Sequence, residues 1–157
     1  MPQVKRTPGG EALTNLVLDL FRLNNQLLAA GDRLVAPLGL TSARWQILGA
    51  IVAADYPQPV AWLARNLGAN RQNVQRIVND LEKEGLVAFE PNPHHRRAQL
   101  VVLTKKGKRT FDSAMRLQAP WSDRLSEGVP VKDLETAHRV LLTLRQNLTG
   151  KDDEDAE

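Results

Sequence analysis

The sequence predicts a mainly α-helical protein with one small β-hairpin. Three observations carry that expectation. Apolar residues recur at steps of three and four along most of the chain, as they do on one face of a helix. Aromatic residues make up only 4% of the chain against 42% apolar residues overall, so the core is built from Leu, Val, Ile and Ala, a composition that favours helices. The period shortens to two in a single place, between Leu86 and Leu103, where two short runs flank a polar tip. At 157 residues the chain is one domain of ordinary size, with or without an added oligomerisation element.

The elements follow in order. Residues 1–10 hold two prolines and two glycines and are expected to be flexible. From Glu11 a long helix begins, with Leu13, Leu16, Leu20, Leu23 and Leu27 forming a heptad-type seam that Val17, Phe21 and Leu28 widen. Pro37 and Gly39 should end it near Val35. Thr41 or Ser42 caps a second helix with Trp45, Leu48, Ile51 and Val52 inward. Tyr56 to Pro59 reads as a turn, because neither proline can continue a helix.

A short third helix over 60–67 carries Val60, Leu63, Ala64 and Leu67, and Gly68 closes it. Asn70 is a good N-cap for a fourth helix over 71–84. There Val74, Ile77, Val78 and Leu81 stand at i, i+3, i+4 and i+7, so one face is core. Gly85 ends it. Leu86–Glu90 and Gln99–Leu103 read as strands, with Val101 and Leu103 on one face, around the tip Pro91-Asn92-Pro93-His94-His95-Arg96-Arg97. Thr104 caps a fifth helix that passes Phe111 and Met115 and that Pro120 should kink or end. Gly128 and Pro130 make a break. A sixth helix follows, stepping through Leu134, Ala137, Leu141, Leu144 and Leu148. Residues 150–157 read as a disordered acidic tail.

The net charge of +3 hides a polarity. Residues 61–110 hold ten Lys/Arg against four Asp/Glu, whereas residues 150–157 hold one Lys against five acids. A basic body with a short acidic end points to an anionic partner, nucleic acid before membrane, because neither terminus carries a strongly amphipathic basic helix. There is no cysteine, which excludes disulfides, thiolate catalysis and thiol-based redox sensing. No apolar run is long enough to span a membrane, and the first residues lack an apolar signal core, so the expected location is the cytoplasm. The G-x-S-x-G elbow and the P-loop pattern are absent, no Ser-His-Asp spacing stands out, and no catalytic residue is assigned; the chain does not read as an enzyme.

Three helices followed by a two-stranded hairpin, with the short turn Gly68-Ala69 between helices three and four, describe a helix-turn-helix with a wing. At this point the chain resembles the MarR family (multiple-antibiotic-resistance regulator type) of transcriptional regulators. The resemblance is carried by Leu40 to Leu48 at the second helix, by Leu63-Ala64 through Leu81-Glu82, and by Arg96 through Gly107 across the wing, the most specific stretch. It extends over residues 11–148. It implies a winged helix-turn-helix DNA-binding domain over 37–107, flanked by dimerisation helices over 11–36 and 108–149. It also implies a homodimer on a pseudo-palindromic operator, acting as a repressor. Two recognition helices would then sit about one DNA turn, roughly 34 Å, apart.

Side-chain chemistry supports a DNA reader independently. Arg grips guanine at two atoms, and Asn or Gln grips adenine. Asn70, Arg71, Gln72, Asn73, Gln75 and Arg76 are of those types and lie at the N-terminal end of the fourth helix. With Val74, Ile77, Val78 and Leu81 inward, Arg71, Gln72, Gln75 and Arg76 are favoured for bases or phosphates over Asn73 and Asn79. Arg96 and Arg97 sit at the wing tip. The resemblance implies that Arg97 enters the minor groove, where a narrow A/T-rich stretch concentrates negative potential, with Arg96 near phosphate. His95 stands where the family commonly has an aspartate that could hold the guanidinium; it reads as a tolerated or phosphate-facing substitute ahead of a pH-sensitive element of binding. The resemblance further implies a pocket for a small, often aromatic acid between dimer helices and winged domain, with Phe21, Arg22, Arg44, Trp45, Phe111 and Met115 as its candidate residues.

Two other readings compete. A zinc-responsive regulator would use His94, His95 and His138, but their spacing is not diagnostic and no metal ligand or cofactor is assigned. A winged helix for protein contact alone would not need paired wing arginines or an amide-rich recognition turn.

Overall fold

The computed structural model describes residues 4–152. Residues 1–3 of the expected flexible start, and 153–157 of the expected acidic tail, lie outside the described residues. The chain forms two compact units, one reaching Gln118 and one starting at Ala119. The first unit holds α1 (Pro8–Val35), a single 3-10 turn (Ala36–Leu38), α2 (Ser42–Ala53), β1 (Gln58–Pro59), α3 (Val60–Leu67), α4 (Arg71–Lys83), β2 (Val87–Glu90) and β3 (Leu100–Leu103). α5 (Lys105–Leu125) begins in it, and α6 (Val131–Asp152) belongs to the second unit.

α1 starts three residues before the expected Glu11. The Thr7 hydroxyl accepts the Gly10 N–H at 3.0 Å, and Pro8 occupies the first helical position, where its missing N–H is not needed. The helix ends as expected near Val35, and Gly39 supplies the left-handed residue (φ +71°) that turns the chain toward α2. α2 then approaches α1 closely. The Ser42 N–H donates to Asp32 Oδ1 and the Ser42 hydroxyl donates to the Leu28 carbonyl, both at 2.7 Å. A Cβ at Gly31 would collide with the Ser42 hydroxyl, so glycine is what permits the crossing.

Thr41 caps α2 by accepting the Arg44 N–H. Ile47, Leu48 and Ala50 are its buried apolar residues, with Trp45 and Ile51 packed against the core. Val52, expected inward, is 42% exposed. The segment SARWQILGAIVA is apolar around most of its circumference, so spacing alone does not choose its buried face. Contacts with α1, α3, α4 and β3 choose it instead.

The hairpin proves to be two strands of a three-stranded antiparallel sheet in the order β1-β3-β2. The expected turn at Tyr56–Pro59 is corrected in its second half: Gln58 pairs with Val101 and Pro59 with Leu100. Proline forbids a helix there but is tolerated on an edge strand. β2 and β3 pair Val87 with Leu103 through Glu90 with Leu100, each one residue shorter than expected. α4 packs on this sheet through Val74, Ile77, Val78 and Leu81, all buried as the spacing predicts. Val35, Leu40, Val60, Leu63, Ala64, Leu86, Val87, Val101 and Ala114 join the buried residues of α2 and α4 in the core.

α5 does not stop at Pro120. It continues to Leu125 and gives way to a turn in which Gly128 takes φ +77°. The proline removes one N–H bond to the Arg116 carbonyl, but Arg116 and Pro120 are both exposed, so water can serve the freed oxygen. α6 runs to Asp152, so residues 150–152 are helical and not part of a disordered tail. Leu134, Val140, Leu141, Leu142 and Leu148 of α6 are exposed, as are Leu13, Leu16, Leu18, Phe21, Leu23 and Leu27 of α1. Among the described residues, no helix is long and apolar enough to cross a membrane.

Candidate nucleic-acid interface

The N-terminal turns of α4 present a row of polar side chains opposite the buried face. Asn70 is the N-cap: its Oδ1 accepts the Asn73 N–H at 3.1 Å, so that oxygen is engaged in starting the helix. Asn73 Oδ1 in turn accepts from Arg76 Nη2 at 2.8 Å, and Asp80 lies 3.9 Å from Arg76 Nη1. These contacts bias the direction of a guanidinium that is otherwise 66% exposed. Gln75 Nε2 donates to Asn79 Oδ1 at 2.9 Å, which leaves the Gln75 oxygen and the Asn79 amide nitrogen out of that bond. Arg71 and Gln72 are exposed.

The wing rises from β2 and β3. The Ala98 N–H donates to the His95 carbonyl at 3.1 Å, which closes a turn with Arg96 and Arg97 at its two central positions. Both arginines are exposed. Asn92 is buried beneath this turn and is absent from the sequence-derived candidates. The signal for it was an Asn in a turn-rich segment, a residue that bonds backbone two positions on. α4 and the wing meet at a cleft of about 170 Å³. Arg71, Gln75 and Asn79 line it from α4, Arg97, Ala98 and Gln99 from the wing, and Val60 and Ala61 from the start of α3. Of the candidates, Arg71, Gln75 and Arg97 thus share one polar concavity, while Asn70, Gln72, Asn73, Arg76 and Arg96 do not line it.

The junction of the wing with α5 is tightly fixed. The Thr104 hydroxyl accepts the Gly107 N–H at 2.9 Å, as an N-cap should, and donates to the Gly85 carbonyl at 2.6 Å. The Thr104 N–H donates to the Leu86 carbonyl, and Lys106 Nζ donates to the Glu84 carbonyl at 2.8 Å. A Cβ at Gly107 would run into the Leu86 carbonyl oxygen. The stretch Thr104-Lys105-Lys106-Gly107 is therefore a clamp that sets the base of the wing against the end of α4.

The candidate effector residues divide. Trp45, Phe111 and Met115 line one apolar pocket of about 280 Å³, together with Gln46 and Gly49. Phe21 is 64% exposed on α1, and Arg22 pairs with Asp19 at 3.0 Å on that helix. Arg44 turns to Glu84 at 2.8 Å and to the Gly39 carbonyl. None of these three lines the pocket. Among the described residues, no group of three or more His, Asp or Glu is placed to hold a metal ion.

Residues 38–98 match the sequence profile of the MarR family. An uncharacterized protein of Mycobacterium tuberculosis is 38% identical over 131 residues, which cover 83% of this chain and 90% of that protein. The chain belongs to the MarR family. The transcriptional activatory protein BadR of Rhodopseudomonas palustris is 29% identical over 147 residues, covering 91% of this chain and 83% of BadR. The transcriptional repressor CouR, solved bound to a 23-mer DNA duplex, is 27% identical with a TM-score of 0.74, covering 90% of this chain and 99% of CouR. CouR from Rhodococcus jostii RHA1 has also been solved bound to p-coumaroyl-CoA.

As a MarR-family protein the chain is a winged-helix, DNA-binding transcriptional regulator. The profile match spans α2, α3, α4 and the wing arginines, the segment whose geometry is described above.

Proposed function

We propose that this MarR-family regulator binds as a homodimer to a pseudo-palindromic operator and represses by occupying the promoter. Each α4 reads base edges in a major groove through Arg71, Gln72, Gln75 and Arg76, while Arg97 of each wing enters the flanking minor groove beside Arg96 on phosphate. The observation that carries this reading is the single cleft lined by Arg71 and Gln75 from α4 and by Arg97 from the wing. A groove-facing helix and a minor-groove arginine must touch adjacent parts of one duplex, and these residues are adjacent. Domain roles follow: residues 37–107 bind DNA, and the helices within 11–36 and 108–149 dimerise. The uncovered apolar residues of α1 and α6 support the second role, because a second copy of the chain would cover them.

The effector in this reading is a small molecule with an aromatic body, seated against Trp45, Phe111 and Met115. It acts by favouring a spacing of the two recognition helices that does not match one DNA turn. The apolar faces of Trp45, Phe111 and Met115 suit such a body, and CouR provides a precedent for an aromatic acyl-CoA ligand. Selection of bound duplexes from a random pool, repeated at two salt concentrations, tests the core of the proposal. The expected result is a two-fold symmetric site with half-sites about one turn apart and affinity that falls steeply with salt. An asymmetric or sequence-indifferent pool would refute it. Placement of the selected sites over a promoter or upstream of it separates repression from the activation that BadR's name records.

A further inference from the structure

The wing tip between Glu90 and Leu100 exposes His94, His95, Arg96 and Arg97 and buries one polar side chain, Asn92, at 9% exposure. Both ends of the Asn92 carboxamide are used. Nδ2 donates across the loop to the Ala98 carbonyl at 2.9 Å, and Oδ1 accepts the His94 N–H at 3.0 Å. These anchors bracket the turn from His95 to Ala98 that carries the two arginines. His94 precedes the turn and Ala98 closes it, so one side chain ties the entry of the turn to its exit.

We propose that Asn92 is the positioning residue of the wing, holding the His95–Ala98 turn in the form that presents Arg97 to the minor groove. The inference rests on the proposed insertion of Arg97. A polar tip without such a tie would have to order itself on contact with DNA, and that ordering would subtract from affinity. The chemistry selects a carboxamide. One group must donate to a carbonyl and accept from an N–H at the same time. Aspartate lacks the donor and would set a carboxylate against the Ala98 oxygen, and a serine hydroxyl is too short to serve both sides. Both hydrogen bonds of the Asn92 side chain stay within the wing.

The test uses the full chain and duplexes with identical half-sites and either A/T-rich or G/C-rich flanks. Arg97→Ala is expected to lose on the order of tenfold in affinity on A/T-rich flanks and little on G/C-rich ones. Asn92→Ala and Asn92→Asp should lose most of the same factor with the same flank dependence, and Asn92→Ala combined with Arg97→Ala should be no weaker than Arg97→Ala alone. Should Asn92→Ala melt early, Asn92→Asp, which keeps the acceptor for His94, carries the comparison. Asn92 variants that bind like the parent on A/T-rich flanks, lose equally on both flanks, or add to Arg97→Ala overturn the positioning role while leaving Arg97 insertion standing. If Arg97→Ala itself shows no flank dependence, insertion fails and the Asn92 proposal fails with it.

Discussion

In α4, Val74, Ile77, Val78 and Leu81 are all buried, whereas in α1 the seam residues Leu13, Leu16, Leu23 and Leu27 remain 38–47% exposed, although both helices space their apolar residues by threes and fours. Equal patterns therefore lead to opposite outcomes. Spacing determines which residues share a helix face, but not what covers that face. For α4 the cover comes from α2, α3 and β2 of the same unit. On α1 the seam residues Leu13, Leu16, Leu23 and Leu27 are exposed, and on α6 so are Leu134, Leu141 and Leu148. The core joins residues of α2 to β3 with Val35 of α1 and Ala114 of α5, while the leucines named on α1 and α6 stay exposed.

The largest effect should come from the closed region. Leu81 is fully buried on α4, and Leu81→Ala is expected to destabilise by about 2–5 kcal/mol, through lost transfer energy and the cavity left behind. Denaturant melting at one fixed protein concentration measures it. Leu16→Ala on α1, under conditions where the chain is dilute and monomeric, should change stability far less. If the two substitutions cost the same in the monomer, the distinction between closed and open regions is wrong.

The open region is broken differently. Leu16→Glu combined with Leu141→Glu places charges on α1 and α6 where the residues are 44% and 37% exposed. The expected product is a folded monomer by sedimentation, with helical content retained. Its affinity for a two-half-site duplex should fall by on the order of a hundredfold or more, because the second half-site no longer binds intramolecularly. A variant that remained dimeric would move the interface away from these faces.

Readability from the sequence follows the same division. α3 and α4 were legible almost to the residue, because a capping Asn70, a closing Gly68 and a strict amphipathic period all agree. β1 was not, since two residues have no period and Pro59 reports only what the segment cannot be. Spacing puts Val52 inward only because α2 is apolar on more than one side, and it is exposed. In the site, side-chain chemistry names the polar residues of α4 and the wing, but the meeting of Arg71, Gln75 and Arg97 in one cleft depends on how α4 packs on the sheet. Asn92 was missed because its partner, Ala98, is six residues away across a loop, a relation that spacing does not encode. The family resemblance places both Arg44 and Trp45 at an effector pocket, but only Trp45 lines it. Successive residues on a helix point about 100° apart, and Arg44 reaches Glu84 while Trp45 faces Phe111 and Met115.

Smaller effects sharpen the assignment within the DNA-binding region. Gln72→Ala or Arg76→Ala should each cost roughly 1–3 kcal/mol on the preferred site if it removes a bidentate base contact, with relaxed preference at one base position. Competition binding against a panel of single-base variants reads this directly. For Arg76 the pairing with Asn73 adds a check: Asn73→Ala should weaken the same base preference to a lesser degree, since it loosens the guanidinium without removing it. Uniform weakening across the panel would assign Arg76 to phosphate instead.

The smallest expected difference separates two ion pairs, one in each region. Arg44 to Glu84 joins α2 to the end of α4, and the Arg44 side chain is 23% exposed; Arg22 to Asp19 lies along α1 with both side chains at least 74% exposed. Arg44→Ala should cost up to about 1 kcal/mol, and Arg22→Ala less than about 0.5 kcal/mol, because an exposed pair is screened and gains little over hydrated side chains. Raising the salt concentration should shrink the first value only partly and abolish the second. The comparison becomes most informative at protein concentrations where the dimer forms. If Arg22→Ala remains neutral there, its end of α1 stays in water in the assembled protein. If its cost rises with concentration above that of Arg44→Ala, the partner covers Arg22, and the interface extends over the polar side of α1 as well as its leucine seam.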